Sequence, residues 1–213
     1  MMYHSAKERN RRFLAVTSIA AVTMVFTTVS HAALKDGLVS YWPLDNVAGT
    51  KTPDLVSGYD MELANLTAAD LVTGKVGKAF KFENARQTML RRVSTAGEQL
   101  PINQHPEFTI SFWANVTGTG QSDLRLFSEA SLSDNNPLFN LGTHSTGSSG
   151  QADIFIRNGA NVSEVNHLRT TAEPFDDTWH QVTYVQNADD SRQIYVDGVL
   201  DDLAIPARTP GTL

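Results

Sequence analysis

Cysteine is absent from the 213 residues. Its absence excludes a disulfide framework, a thiolate-bound zinc site and a thiol nucleophile. A basic tract is also missing beyond the leader, because residues 33–213 carry 13 Lys+Arg against 22 Asp+Glu, a net −9. That balance argues against nucleic acid or an anionic membrane as partner and suits a neutral ligand such as a glycan, or a cation. After residue 32 no segment keeps a helical period, and none is long and apolar enough to cross a bilayer. A chain of this size buries roughly 70% of its unfolded surface, so burial alone can hold it.

What is present begins with a targeting pattern. The polar, basic start ends in Arg9-Asn10-Arg11-Arg12 and gives way to an uncharged run from Phe13 to Val29. Ser30-His31-Ala32 then puts small residues at the two positions that a signal peptidase reads. The competing reading is an uncleaved anchor. A run of 17 residues containing four threonines is at the short end for a span, so a cleaved signal over residues 1–32 is the better reading. It implies a secreted or cell-surface protein with no membrane span once the signal is removed.

Residues 33–213 read as one domain of strands and turns. Short runs recur at Leu38–Leu44, Ala79–Phe82, Thr88–Leu90, Leu124–Phe127, Pro137–Leu141, Asp153–Arg157, Trp179–Val185 and Arg192–Val196. The clearest is Phe108–Val116, in which Phe108, Ile110, Phe112, Ala114 and Val116 share one face and Thr109, Ser111 and Asn115 the other. Burying the larger residues of that face is worth roughly 1.5–3 kcal/mol each. Asp197-Gly198 supplies the positive φ angles of a tight hairpin. Residues 61–73 have room for a single helical turn, and residues 145–150 form a Ser/Gly-rich loop. The predicted class is all-β, a two-sheet antiparallel sandwich preceded by a helical signal segment.

Four segments together resemble the laminin-G-like jelly-roll family of the concanavalin A-like lectin/glucanase fold. They are Gly37–Asp45, Gly74–Glu83, Phe108–Trp113 and Trp179–Tyr184, with Ile194-Tyr195-Val196-Asp197-Gly198 following at the usual distance. The resemblance implies two curved antiparallel sheets packed face to face, used mostly for binding or spacing in exported proteins. Family members usually continue past the Asp-Gly hairpin to a Gly-Ile-Asp-Asp-like strand lying beside the first. The present chain runs Pro206-Ala207-Arg208-Thr209-Pro210-Gly211 and stops at Leu213, so a sandwich lacking its closing strand is expected.

The family also often binds calcium at the rim of the sandwich. The loop after the first strand offers Asp45, Asn46, Asp54, Ser57 and Asp60, and Asp45, Asp54 and Asp60 are the expected calcium ligands, because hard cations take oxygens from loops. The plainer alternative is that Asp54 and Ser57 close a turn through bonds to backbone.

No catalytic residue is expected. A glycosidase of this fold needs paired carboxylates in a Glu-x-Asp-x-x-Glu run, which is absent, and Glu107, Glu129 and Asp134 read as solvated acids. Gly142-Thr143-His144-Ser145-Thr146-Gly147 lacks the spacing of a serine nucleophile. The family pattern places Trp42, Trp113 and Trp179 in structural positions. Tyr59, Asn135, Asn136, His144 and His167 have ligand-like chemistry, but no pattern joins them. The expected role is a non-catalytic module for a glycan or an extracellular protein surface, with calcium as cofactor and the ligand-binding residues unknown. The alternatives are an adhesion spacer or an accessory domain severed from a carbohydrate-active enzyme. N-terminal sequencing of the exported protein should read Ala33 as the first residue.

Overall fold

A computed structural model describes residues 36–117, 122–147 and 150–209. The expected signal, residues 1–32, and the loop residues Ser148 and Ser149 lie outside the described residues. In chain order the strands are β1 (Lys51–Thr52), β2 (Met61–Ala64), β3 (Leu71–Thr73), β4 (Lys78–Phe80), β5 (Met89–Arg91), β6 (Phe108–Asn115) and β7 (Arg125–Ala130). They continue with β8 (Leu138–Gly142), β9 (Asp153–Arg157), β10 (Ser163–Arg169), β11 (Trp179–Gln186), β12 (Arg192–Val196) and β13 (Val199–Leu200). Every pairing is antiparallel. Two four-stranded sheets, β13-β12-β11-β6 and β10-β9-β8-β7, make the sandwich, alongside a small β1-β2-β5 sheet and a β3-β4 hairpin.

The seam follows from period-two alternation. Strand β6 alternates half-buried and exposed along its whole length, and its Phe108, Ile110 and Phe112 pack on a core of Phe139, Leu141, Ile154, Ile156, Val165, Val182, Tyr184 and Ile194. Phe139 of one sheet meets Tyr184 of the other edge-on at 5.0 Å between ring centroids. Phe108 touches both, at 6.1 Å from Phe139 and 5.8 Å from Tyr184. Burial drives the Tyr184 phenol well above its ordinary pKa, so the ring stays neutral.

One ionic contact crosses the same seam. Arg192 of β12 donates to Glu164 of β10 at 2.8 Å, with the arginine side chain fully enclosed and that of the glutamate 7% exposed. Arg192 also donates to the Gln186 side chain and to the Pro206 carbonyl. Such a pair is worth little against an apolar replacement, but it is costly to break from one side.

Several sequence expectations change here. Residues 38–44 form no strand. Their polar backbone groups are engaged elsewhere: Tyr41 N–H donates to the Asp54 carboxylate at 2.7 Å, and the Tyr41 carbonyl accepts from Leu55 N–H at 2.9 Å. Residues 61–73 hold two strands around a 3₁₀ turn at Ala68–Asp70, capped by Thr67. Strands β1 and β10 were not foreseen. The hairpin at Asp197-Gly198 has the expected positive φ angles, 51° and 78°. Beyond β13, residues 201–209 are irregular, with Leu203 and Ile205 packed on the core.

Because the seam is held mainly by apolar side chains and has no covalent bridge, Phe139→Ala should cost about 3–5 kcal/mol in denaturant unfolding. Val199→Ala, at a position 70% exposed, should change stability by less than about 0.5 kcal/mol.

Candidate functional site

The expected calcium ligands do not converge. Asp54 is buried, and its two carboxylate oxygens accept four backbone N–H groups. Oδ1 takes Tyr41 at 2.7 Å and Val56 at 3.1 Å, while Oδ2 takes Ser57 at 3.1 Å and Tyr59 at 3.0 Å. Burial pushes the Asp54 pKa upward, but the donors from Tyr41, Tyr59, Val56 and Ser57 outweigh it and hold the group below its ordinary value. Asp60 Oδ1 accepts from Asp54 N–H at 3.0 Å, whereas Asp45 Oδ1 accepts from Lys78 N–H at 2.7 Å on the β3-β4 hairpin. Calcium wants 6–8 oxygens with free lone pairs. The Asp54 carboxylate is ringed by four N–H dipoles and anchors the loop through backbone.

Two of the acids read as solvated are also engaged, while Glu107 is exposed. Glu129 is half-buried and accepts from Ile102 N–H at 2.7 Å and Asn103 N–H at 3.2 Å. Burial raises its pKa despite those donors. Asp134 accepts from Asn136 N–H at 3.0 Å and closes a turn.

The outward face of the β6-β11-β12 layer is a better candidate for binding. The register sets Trp113 beside Gln181, Ser111 beside Thr183 and Thr183 beside Tyr195. Ser111 and Thr183 share a hydroxyl hydrogen bond at 2.7 Å, and Gln181 Nε2 donates to Ser111 at 3.2 Å. The expectation that Trp113 serves packing fails. Period two puts it on the Thr109/Ser111/Asn115 side, where it is 41% exposed. Its neighbour is Lys75, whose Nζ lies 5.1 Å from the ring centroid. Trp42 is half-buried and donates its Nε1 proton to the Tyr59 carbonyl. His180, near the rim, bonds Asp197 at 2.6 Å and Asp176 at 3.1 Å, and Asp197 above all raises its pKa. Those contacts fasten the β12-β13 hairpin to β11.

The outward face of the other layer gathers residues that sequence left unconnected. Among the described residues, His144, Asp153 and His167 bring three ligand-type atoms within 4.8 Å of one another. Both histidines were noted as loop chemistry. Neither the involvement of Asp153 nor the meeting of all three had any signal in spacing.

Since Asp54 holds its loop through backbone, Asp54→Ala should destabilise the protein by roughly 2–4 kcal/mol. Thermal melts should show the same loss in millimolar calcium and in EDTA. Asp45→Ala, at an exposed acid with one backbone contact, should cost less than about 1.5 kcal/mol.

Neither a curated protein nor a solved structure matches the chain. A laminin-G-like family model described as the Concanavalin A-like lectin/glucanases superfamily matches residues 91–210. That span holds both faces of the sandwich, from β6 to β13. The fold, the alternation of β6 and the Asp-Gly hairpin agree with it, and the chain belongs to this laminin-G-like family of the concanavalin A-like superfamily.

Proposed function

We propose that the chain is an exported, non-catalytic binding module that recognises a neutral glycan through the outward face of the β6-β11-β12 layer. The observation that carries this reading is the exposed indole of Trp113 beside the hydroxyl and amide row of Ser111, Thr183 and Gln181. A flat indole offers an apolar surface to the C–H face of a sugar ring, while neighbouring hydroxyls and amides bond its equatorial oxygens. Across β6 and β11 this face presents Thr109, Ser111, Trp113, Asn115, Trp179, Gln181, Thr183 and Val185. Those β6 and β11 positions carry no carboxylate, whereas glycosidic cleavage uses a flanking pair, which favours binding over turnover. The targeting pattern in residues 1–32 supports placement outside the cell, secreted or on the surface.

Lys75 lies over the indole. An exposed cation over an aromatic ring is worth about 0.5–1 kcal/mol, little enough for a sugar to displace. A glycan array probed with the purified protein should give selective hits that survive EDTA. Trp113→Ala should weaken those hits at least about tenfold, about 1.4 kcal/mol, and leave the melting temperature nearly unchanged. An array without selective hits would overturn the glycan reading in favour of an extracellular protein partner or a spacer role.

A further inference from the structure

The fold builds a compact cluster of nitrogen and oxygen donors on the layer opposite the proposed glycan face. His144 follows β8, Asp153 opens β9 and His167 lies near the end of β10. Asp153 and Gly142 are partners in the β8-β9 ladder. Gly142 is itself required, because a Cβ there would lie 2.1 Å from the Leu124 carbonyl oxygen. His167 reaches Asp153 through a bulge: Val165 pairs with Ile156 and Leu168 with Ile154, so β10 spends two residues opposite Phe155. His167 takes a left-handed φ of 52° there and lays its ring on Phe155, centroids 4.7 Å apart. Bulges commonly re-aim a side chain in this way.

We propose that His144, Asp153 and His167 bind a divalent transition-metal ion of the zinc class. Asp153 Oδ2 and His167 Nδ1 stand 2.9 Å apart, and adjacent ligands on an ion held at about 2.0–2.1 Å lie about 2.9–3.4 Å from each other. The ion replaces the proton that the pair shares. His144 brings a second imidazole, its ring centroid 5.2 Å from that of His167.

An independent feature points to a ligand. Asp153 is only 3% exposed, and its Oδ1 is buried without any hydrogen-bond partner. A buried carboxylate oxygen left unbonded is costly, and a cation held by both Asp153 oxygens answers that cost. Burial pushes the Asp153 pKa up, and the hydrogen bond from His167 only partly offsets it.

The donor set selects the metal. Two imidazoles and one carboxylate suit zinc and its neighbours, whereas calcium and magnesium prefer all-oxygen shells. Three protein ligands leave a position for water or an outside group.

Binding asks one rearrangement of His144. Its Nδ1 now accepts the Thr146 N–H at 3.1 Å and touches the Thr146 hydroxyl at 2.8 Å, which places the ring proton on Nε2. Ligation through Nε2 moves that proton to Nδ1, where the Thr146 hydroxyl oxygen accepts it. The released Thr146 N–H belongs to an exposed residue, and water takes it. Arg169, the ladder partner of Asp153, is exposed, so solvent screens its charge.

The test does not depend on the glycan reading. Purified protein stripped with EDTA is titrated with zinc by calorimetry, with calcium as control, and with cobalt(II) while visible d–d absorption is recorded. One zinc per chain is expected, with a melting temperature that rises with zinc and not with calcium. His144→Gln and Asp153→Asn should each lose at least about tenfold in affinity and alter the cobalt spectrum. His144→Gln should match the wild-type melt in metal-free buffer and decides the matter alone if Asp153→Asn fails to fold. Absence of stoichiometric zinc uptake, or unchanged affinity and cobalt spectrum in His144→Gln, would overturn the proposal.

Discussion

The contact on which the rest depends is the edge-on meeting of Phe139 and Tyr184 across the two layers. A protein without cysteine has no covalent staple, so the sheets must be held by surface removed from water. Phe108 leans on both rings, and Ile154, Ile156, Val182 and Ile194 fill in around them. Once those side chains point inward, pleat geometry decides what every neighbouring residue must do. Trp113 is outward because Phe112 is inward, and Gln181 because Val182 is. The candidate binding face is therefore a direct consequence of the seam.

That coupling explains which parts of the fold could be read from sequence. Strands β6, β9, β11 and β12 were visible because alternation or dense apolar runs mark them, and Asp197-Gly198 marked the hairpin. Strand β10 was invisible for a physical reason. Its sequence, Ser-Glu-Val-Asn-His-Leu-Arg, carries two register breaks, between Ser163 and Val165 and between Val165 and Leu168. Each break inserts an extra residue and destroys the period that a reader looks for. Residues 38–44 failed in the opposite direction. Their apolar, aromatic run reads like a strand, but Asp54 takes up the Tyr41 N–H that a neighbouring strand would need.

The chemistry was less legible than the fold. Residue type alone cannot say whether a buried aspartate faces a cation or a ring of N–H groups, and Asp54 faces the latter. Trp113 was assigned to packing from the family pattern, although the alternation of its own strand already placed it opposite Phe112. His144 and His167 are 23 positions apart in sequence, on different elements, and only the β8-β9-β10 ladder brings them to one place. Nothing local to either histidine carries that information.

The two breaks in β10 also show how one strand serves both sides of its sheet. An ideal strand there would give one residue opposite Phe155 and none to spare between Arg157 and Ile156. The first extra residue lets Glu164 turn into the seam and meet the enclosed Arg192 at 2.8 Å. The second lets His167 meet Asp153 on the outer side without moving Leu168 off the core. Val165, between the breaks, is fully buried and pins the strand in place. Each insertion gives up a regular ladder step, and each is filled by an ionisable side chain with a buried partner. Val165 and Leu168 are three positions apart, so unbroken alternation would set them on opposite faces, and the second break also lets both reach the core. What the breaks add is reach: to Arg192 on the inside, where an ion pair ties the layers, and to Asp153 on the outside, where a carboxylate oxygen still lacks a partner.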